Sequence, residues 1–222
     1  MPTKMKNCPV TRLIKHAYHH GDLRNALIGE GLKLLEKEGN ADFTLRDLAG
    51  RVGVSPAAPY SHFEDKDALL AAIATVGFGK LKESLEEAIA AVNDPAQKFL
   101  AMGQAYVCFG MNNPALYKLM FANEELPAKR GQFPDLQAAG NAAFETLTGM
   151  LGQMQQSRFL REGDLDGYGL AVWAHVHGLT SLIITGRIDC VGEGVERIFP
   201  AEEATRMSLL GMLGGLRNPS AA

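Results

Sequence analysis

One stretch of the chain carries residues whose types and spacing can do chemistry: TLRDLAGRVGVSPAAPYSHF, from Thr44 to Phe63. The chemistry is recognition rather than bond making. Val52-Gly53-Val54 joins two short segments, and Gly53 can take the positive φ that a tight turn demands. Ala49 is small enough to let the segments approach, and Val54 plugs the space between them. That is the pattern of a helix-turn-helix, whose second helix enters the major groove of DNA. A groove-facing helix needs small or polar side chains outward, and Ser55, Ala57, Ala58, Tyr60, Ser61 and His62 supply them. Phe63 turns inward as an anchor. Pro59 falls at the fourth helical position, where a backbone N–H would bond the Ser55 carbonyl. A tightened or kinked second helix is expected.

The elements around this stretch must hold it. Over 22–38 the apolar positions Leu23, Ala26, Leu27, Leu34 and Leu35, with Gly31, form one helical stripe that Gly39-Asn40 ends. Thr44 caps the next helix, with Asp47 completing a variant capping box, and Leu45, Leu48, Ala49 and Val52 face inward. Ser55 as N-cap and Pro56 at the first helical position open a third helix that runs to about His62. Asp65 caps a long helix to about Val92, and Asn93-Asp94-Pro95 breaks it. Helices are then predicted over 95–111, 115–121, 136–157, 165–185 and 201–216, with a loop over 122–134. No segment alternates with period two, so the expected fold is all-α. An N-terminal three-helix domain carrying the helix-turn-helix (21–70) follows a flexible basic arm (1–20) and precedes a second, helical domain (71–222).

Composition narrows the function classes. The net charge is −3 over 222 residues, yet residues 1–70 are net positive by one and residues 71–222 net negative by four. A basic tip on an acidic body suits a protein that touches phosphates at one end; a solvated tail gives the same count. Cys8, Cys108 and Cys190 are few, odd in number and far apart, which fits a reducing cytoplasm and argues against a disulfide framework. No apolar run is long enough to cross a membrane, and no secretory signal is visible. No Gly-x-Ser-x-Gly, Cys-x-x-Cys or His-Glu-x-x-His occurs, and no phosphate-cradling Gly-rich loop, so no enzyme is expected. His175 and His177 point to different helix faces and cannot share a metal, and the spacing of Cys8 to the arm histidines fits no usual zinc pattern. No metal or cofactor is expected.

The stretch from His20 to Ile73 resembles the DNA-binding domain of the tetracycline-repressor (TetR) family. The resemblance rests on Thr44-Leu45-Arg46-Asp47-Leu48-Ala49, on Gly53-Val54-Ser55, and on Tyr60-x-His62-Phe63-x-x-Lys66-x-x-Leu69-Leu70. It implies that Thr44 and Arg46 meet backbone phosphate or a base edge. Ser55, Ala57 and Ala58 would sit at the major groove, Tyr60 and His62 would touch phosphate, and Lys66 would clamp it. Pro59 replaces the aliphatic residue commonest there in the family, which puts the base preference in doubt but not the docking mode. The second helix is poor in Arg, Asn and Gln, so specificity would draw on thymine contacts, DNA shape or the N-terminal arm with Arg12, Lys15, His16, Tyr18, His19 and His20.

Farther along, Trp173-x-x-x-His177-Gly178 resembles the signature of the WHG-type C-terminal domain found in this family. Trp173 and His177 share a helix face. Both suit a packed core, an effector pocket, or the two together. Met102, Tyr106, Phe109, Phe121, Phe144 and Met150 are the other pocket candidates, although such residues also build ordinary cores. Tyr106 and His177 would supply the polar groups of a largely apolar site. Small residues on the last two long helices, Gly169, Ala171, Ala174, Gly178, Gly211, Gly214 and Gly215, point to a homodimer interface. The expected function is a cytoplasmic, ligand-responsive transcriptional regulator. It would bind double-stranded DNA at a palindromic operator as a dimer, and a small, largely apolar effector would release it. Repression is the first reading and activation stays open; an architectural or protein-binding helical module is the rival.

Overall fold

The computed structural model describes residues 22–121, 130–188 and 200–219. Among them are eight α-helices and no strand, only an isolated bridge between Leu160 and Arg217. The helices are α1 (Leu23–Glu38), α2 (Leu45–Val52), α3 (Lys66–Ala90), α4 (Pro95–Asn112), α5 (Pro114–Phe121), α6 (Pro134–Gln156), α7 (Leu165–Ile184) and α8 (Ala201–Leu216). Two short 3-10 segments, Ala58–Ser61 and Arg130–Gln132, lie between them. The arm over 1–20, most of the loop over 122–134 and Cys190 fall outside the described residues.

Side-chain caps set several helix ends. Asp22 accepts from the Asn25 N–H at 3.1 Å, Asp65 from Ala68 at 2.8 Å and Asp94 from Gln97 at 2.9 Å. Each satisfies a donor that the helix itself cannot. Asp164 accepts from both Asp166 and Gly167 at the start of α7. Gly39 closes α1 in the left-handed region at φ 76°, donating its N–H to the Leu35 carbonyl at 2.9 Å.

The described residues fall into two compact units. One takes residues up to Lys80 together with those of Asn113–Asn141; the other takes Leu81–Asn112 and those from Ala142 onward. In the first, Leu27, Leu35, Leu48, Leu69, Ile73 and Leu116 are fully buried. Gly31 lets α1 approach α3, because a Cβ there would lie 2.8 Å from Ile73 Cδ1. In the second unit, α4 packs against both α7 and α8 around Phe99, Val107, Leu151, Ile183 and Leu209. Each of these side chains contributes about 1.5–3 kcal/mol by leaving water. A Cβ on Gly103 of α4 would lie 2.5 Å from Leu209 Cδ2, so any larger residue at this close crossing of α4 and α8 would force the Leu209 side chain to move.

Three sequence expectations are corrected. Gly169 is buried, and a Cβ on it would strike Thr148 and Phe144; it serves the α6–α7 contact rather than an outer face. Cys108 on α4 is disulfide-bonded, which spacing alone argued against. The third concerns the second element of the helix-turn-helix.

Candidate nucleic-acid interface and effector site

The first helix of the motif, α2, is held by the capping box that its sequence requires. The Asp47 N–H donates to Thr44 Oγ1 at 3.2 Å, and the Thr44 N–H donates to the Asp47 carboxylate at 2.8 Å. The Thr44 hydroxyl also donates to that carboxylate at 2.7 Å, and these bonds hold the Asp47 carboxyl below its ordinary pKa. Gly53 then turns the chain at φ 81°, with its own N–H and that of Val54 both donated to the Ala49 carbonyl at 3.0 Å.

The second element is not an α-helix. Ser55 caps nothing, and residues Ala58–Ser61 form a single 3-10 turn with no side-chain cap. The cause is Pro59. Lacking an N–H, it cannot donate to the Ser55 carbonyl, which accepts from Ala58 at 3.0 Å instead. The same tightening continues as Tyr60 donates to Ala57 and His62 to Pro59. Pro59 and Phe63 are buried. Ser55, Ala57, Tyr60 and His62 are exposed and Ala58 is half-buried, as are Thr44 and Arg46 exposed on the α2 side. Tyr60 is 50% exposed, so its ring is not core. Ser61 is also exposed, but its hydroxyl donates to the Ala58 carbonyl at 2.7 Å and is spent within the turn.

Two cations flank the turn, each over an aromatic face. Lys66 Nζ sits 5.8 Å from the centroid of Phe43, and the Arg24 guanidinium sits 5.5 Å from that of Phe63. Lys66 was legible in the sequence. Arg24 was not, since its partner lies thirty-nine residues away and no local pattern links them.

Of the eight pocket candidates, the structure brings four together. Trp173 Nε1 donates to Tyr106 Oη at 3.2 Å, and Tyr106 Oη lies 3.1 Å from His177 Nδ1. The Trp173 ring is tilted against His177 at 5.8 Å and meets Phe144 edge-on at 6.4 Å. Burial holds His177 below its ordinary pKa of 6.5. A neutral ring protonated on Nε2 accepts the Tyr106 O–H at Nδ1 while Tyr106 accepts from the indole, so both of these hydrogen bonds have a donor and an acceptor.

Met102 and Phe109 are buried on α4, the helix that carries Tyr106. Phe121 belongs to the other unit, where it packs against Phe78 and Tyr117. Met150 lines an open cleft of about 340 Å³ between the end of α3, the start of α4 and α6, with Ile89 and Val92 at its apolar side and Lys98 and Glu145 among its polar residues. Sequence reasoning missed that cleft, because three elements distant along the chain build it. Among the described residues no group of three His, Cys, Asp or Glu side chains could hold a metal ion.

Comparison with known proteins decides the lineage. The family model for bacterial regulatory proteins of the tetR family matches residues 27–73, and that for the tetracyclin repressor-like C-terminal domain matches residues 99–203. The chain belongs to the TetR family. As a TetR-family protein it is a DNA-binding transcriptional regulator with an all-α fold. A solved structure of a protein with unknown function from Rhodococcus sp. RHA1 is 32% identical, covers 92% of this chain and 100% of its own, and superposes with a TM-score of 0.77. FadR from Bacillus subtilis, solved with stearoyl-CoA, is 14% identical over 87% of this chain and 99% of its own (TM-score 0.67), a likeness of fold alone. Nucleoid occlusion factor SlmA of Vibrio vulnificus is 30% identical over 136 residues, 57% of this chain. The chain spans 62% of that relative's length.

Proposed function

We propose that this TetR-family protein is a cytoplasmic, ligand-responsive repressor that binds a palindromic operator as a homodimer. The observation that carries the reading is the capped α2 and the proline-tightened turn, which leave Tyr60, Ser55, Ala57 and His62 outward on a buried Pro59–Phe63 anchor. Residues 21–70 are the DNA-binding domain in this proposal. Thr44, Arg46, Tyr60, His62 and Lys66 engage phosphates and fix register, while Ser55, Ala57 and Ala58 face base edges. Residues 71–222 bind the effector and dimerise.

Supporting the dimer, four of the large apolar side chains most exposed to water lie on α7 and α8: Leu170, Leu182, Met207 and Leu210. Small exposed neighbours, Ala171, Ala174, Gly211, Gly214 and Gly215, continue the two stripes. Such a face is isologous in a two-fold dimer, and its recognition turns would have to stand about 34 Å apart to read one face of DNA.

The effector in this reading is small and largely apolar, seated by Tyr106, Phe144, Trp173 and His177. FadR's stearoyl-CoA is a ligand with a long apolar part on the same fold. Release follows when the effector binds one conformation better than the other. The helices α3 and α6 each have their two ends in different compact units and link them along the chain.

The test is protection of DNA flanking the protein's own gene, at fixed salt and against competitor DNA. Protection of a short palindrome by a dimer, relieved by a ligand, is expected. Binding without preference for any fragment from a genome-wide selection would overturn the operator reading. A ligand bound by the protein that left operator affinity unchanged would overturn the coupling.

A further inference from the structure

We infer that Arg24, in the first turn of α1, is a phosphate clamp pre-positioned at the edge of the recognition turn. Four observations converge on it. The side chain is exposed. Its guanidinium carbon lies 5.5 Å from the centroid of Phe63, the residue that anchors the end of the turn and is itself only 3% exposed. Among the described residues no carboxylate comes within 4 Å of it, whereas Arg51 and Lys33 both neutralise Glu30 and Lys82 neutralises Glu86. And Lys66, the first residue of α3, carries the same arrangement, an ammonium over Phe43.

The physical consequence is a cation whose position is fixed before DNA arrives. Stacking on an aromatic face restrains the long side chain without using its N–H donors, which stay in the guanidinium plane for bidentate capture of a phosphate. A flexible arginine would lose rotamer freedom on binding; this one has lost much of it on folding. Arg24 and Lys66 then hold the duplex backbone while Ser55, Ala57 and Ala58 address the groove. The inference rests on the DNA-binding reading of the turn, but not on any particular operator.

The experiment therefore uses a 30-base-pair duplex of random sequence, where binding is governed by phosphate contacts and its salt dependence counts them. The full-length protein is compared with Arg24→Gln, which keeps an aliphatic stem over Phe63 and removes the charge. Lys33→Gln serves as the control. It lies nine residues along α1, about 13 Å away at 1.5 Å per residue, beyond a Debye length at 0.1 M salt.

The slope of log K against log salt should become shallower by about 0.9 in Arg24→Gln and stay unchanged in Lys33→Gln. An unchanged slope in Arg24→Gln, with or without weaker binding, overturns the clamp. So does an equal loss in both variants. Wild-type protein that binds no duplex would instead defeat the DNA-binding reading itself, so the two failures are distinct. Should Arg24→Gln fail to fold, the wild-type protein decides. Arg24 should react with phenylglyoxal when free and be protected in the complex, as read by peptide mass; equal labelling in both overturns the inference.

Discussion

Single side chains make the sharpest commitments. Tyr60→Ala and Lys66→Ala should each weaken binding to all DNA sequences alike in fluorescence anisotropy titrations, and the loss of the lysine charge should also make the salt slope shallower by about one, whereas the loss of the neutral tyrosine should leave it unchanged. Thr44→Ala removes the hydroxyl that caps α2 and should cost about 1 kcal/mol in urea unfolding. The Asp47 half of that box titrates. Its folded pKa lies below the ordinary 3.8, so its stabilising contribution is present above that pH and disappears as pH falls through the folded value. The melting-temperature gap between wild type and Asp47→Asn should accordingly narrow as the medium is acidified below about pH 4. His177 carries the opposite chemistry with the same sign of slope. Its folded pKa lies below 6.5, so the unfolded chain binds the proton more readily in that window. Stability should rise with pH up to about 6.5 and level off, and His177→Gln should flatten that rise in denaturant titrations at about pH 5.5 and 7.5. The Asp47 box was readable from two residues three apart. The His177 environment was readable only in part: Trp173 at four residues' distance declared itself, but Tyr106, which completes the chain of hydrogen bonds, is 71 residues from His177.

Among the elements, the recognition turn is where sequence reasoning was half right. Tightening by Pro59 was legible because the missing N–H is a property of one residue. The collapse of an expected helix into four residues was not. It depends on the whole short run, in which Pro56 and Pro59 each lack a donor and Ala58 is left to take the Ser55 carbonyl. Pro59→Ala restores one donor and permits an α-helical path. It should change which bases are preferred, measured by selection of bound fragments, while leaving the salt slope intact because the proposed phosphate contacts lie on neighbouring residues. An altered slope with an unaltered base preference would show that the turn's path does not set specificity. The long helices were easier. Their ends carry Asp65, Asp94 or Asp164, whose side chains accept the first free N–H groups, and each start agreed with its cap within about two residues.

For the molecule taken whole, the all-α class followed from the lack of any period-two segment. Which helix faces meet which did not. Gly169 and Gly211 look alike in sequence, yet one is pressed against Phe144 and Thr148 and the other faces outward with nothing within 4 Å of a Cβ. The open cleft and the aromatic cluster likewise needed three-dimensional packing to become visible. At this scale the proposed dimer makes the prediction. Leu210→Glu places a charge on the exposed α8 stripe without touching the core, so the protomer should stay folded. In sedimentation the dimer should weaken by about 3 kcal/mol, roughly a hundredfold in Kd. An unchanged dimer would move the interface elsewhere.

The outward glycines of α8 have a consequence for motion as well as for contact. Gly211, Gly214 and Gly215 fall within its last six residues, and each lowers intrinsic helix propensity by about 0.8–1.0 kcal/mol relative to alanine. Leu213 and Leu216 are buried on the inner side, and just beyond them the Arg161 N–H donates to the Leu216 carbonyl at 3.1 Å and the Asn218 N–H to the Phe159 carbonyl at 2.9 Å, so the very end is tied down. The amide protons of the three outward glycines should still exchange with deuterated solvent sooner than those of the buried leucines beside them, through local opening rather than global unfolding. A second protomer seated on the same face would slow them, so the exchange rate at three glycines becomes a residue-level gauge of association.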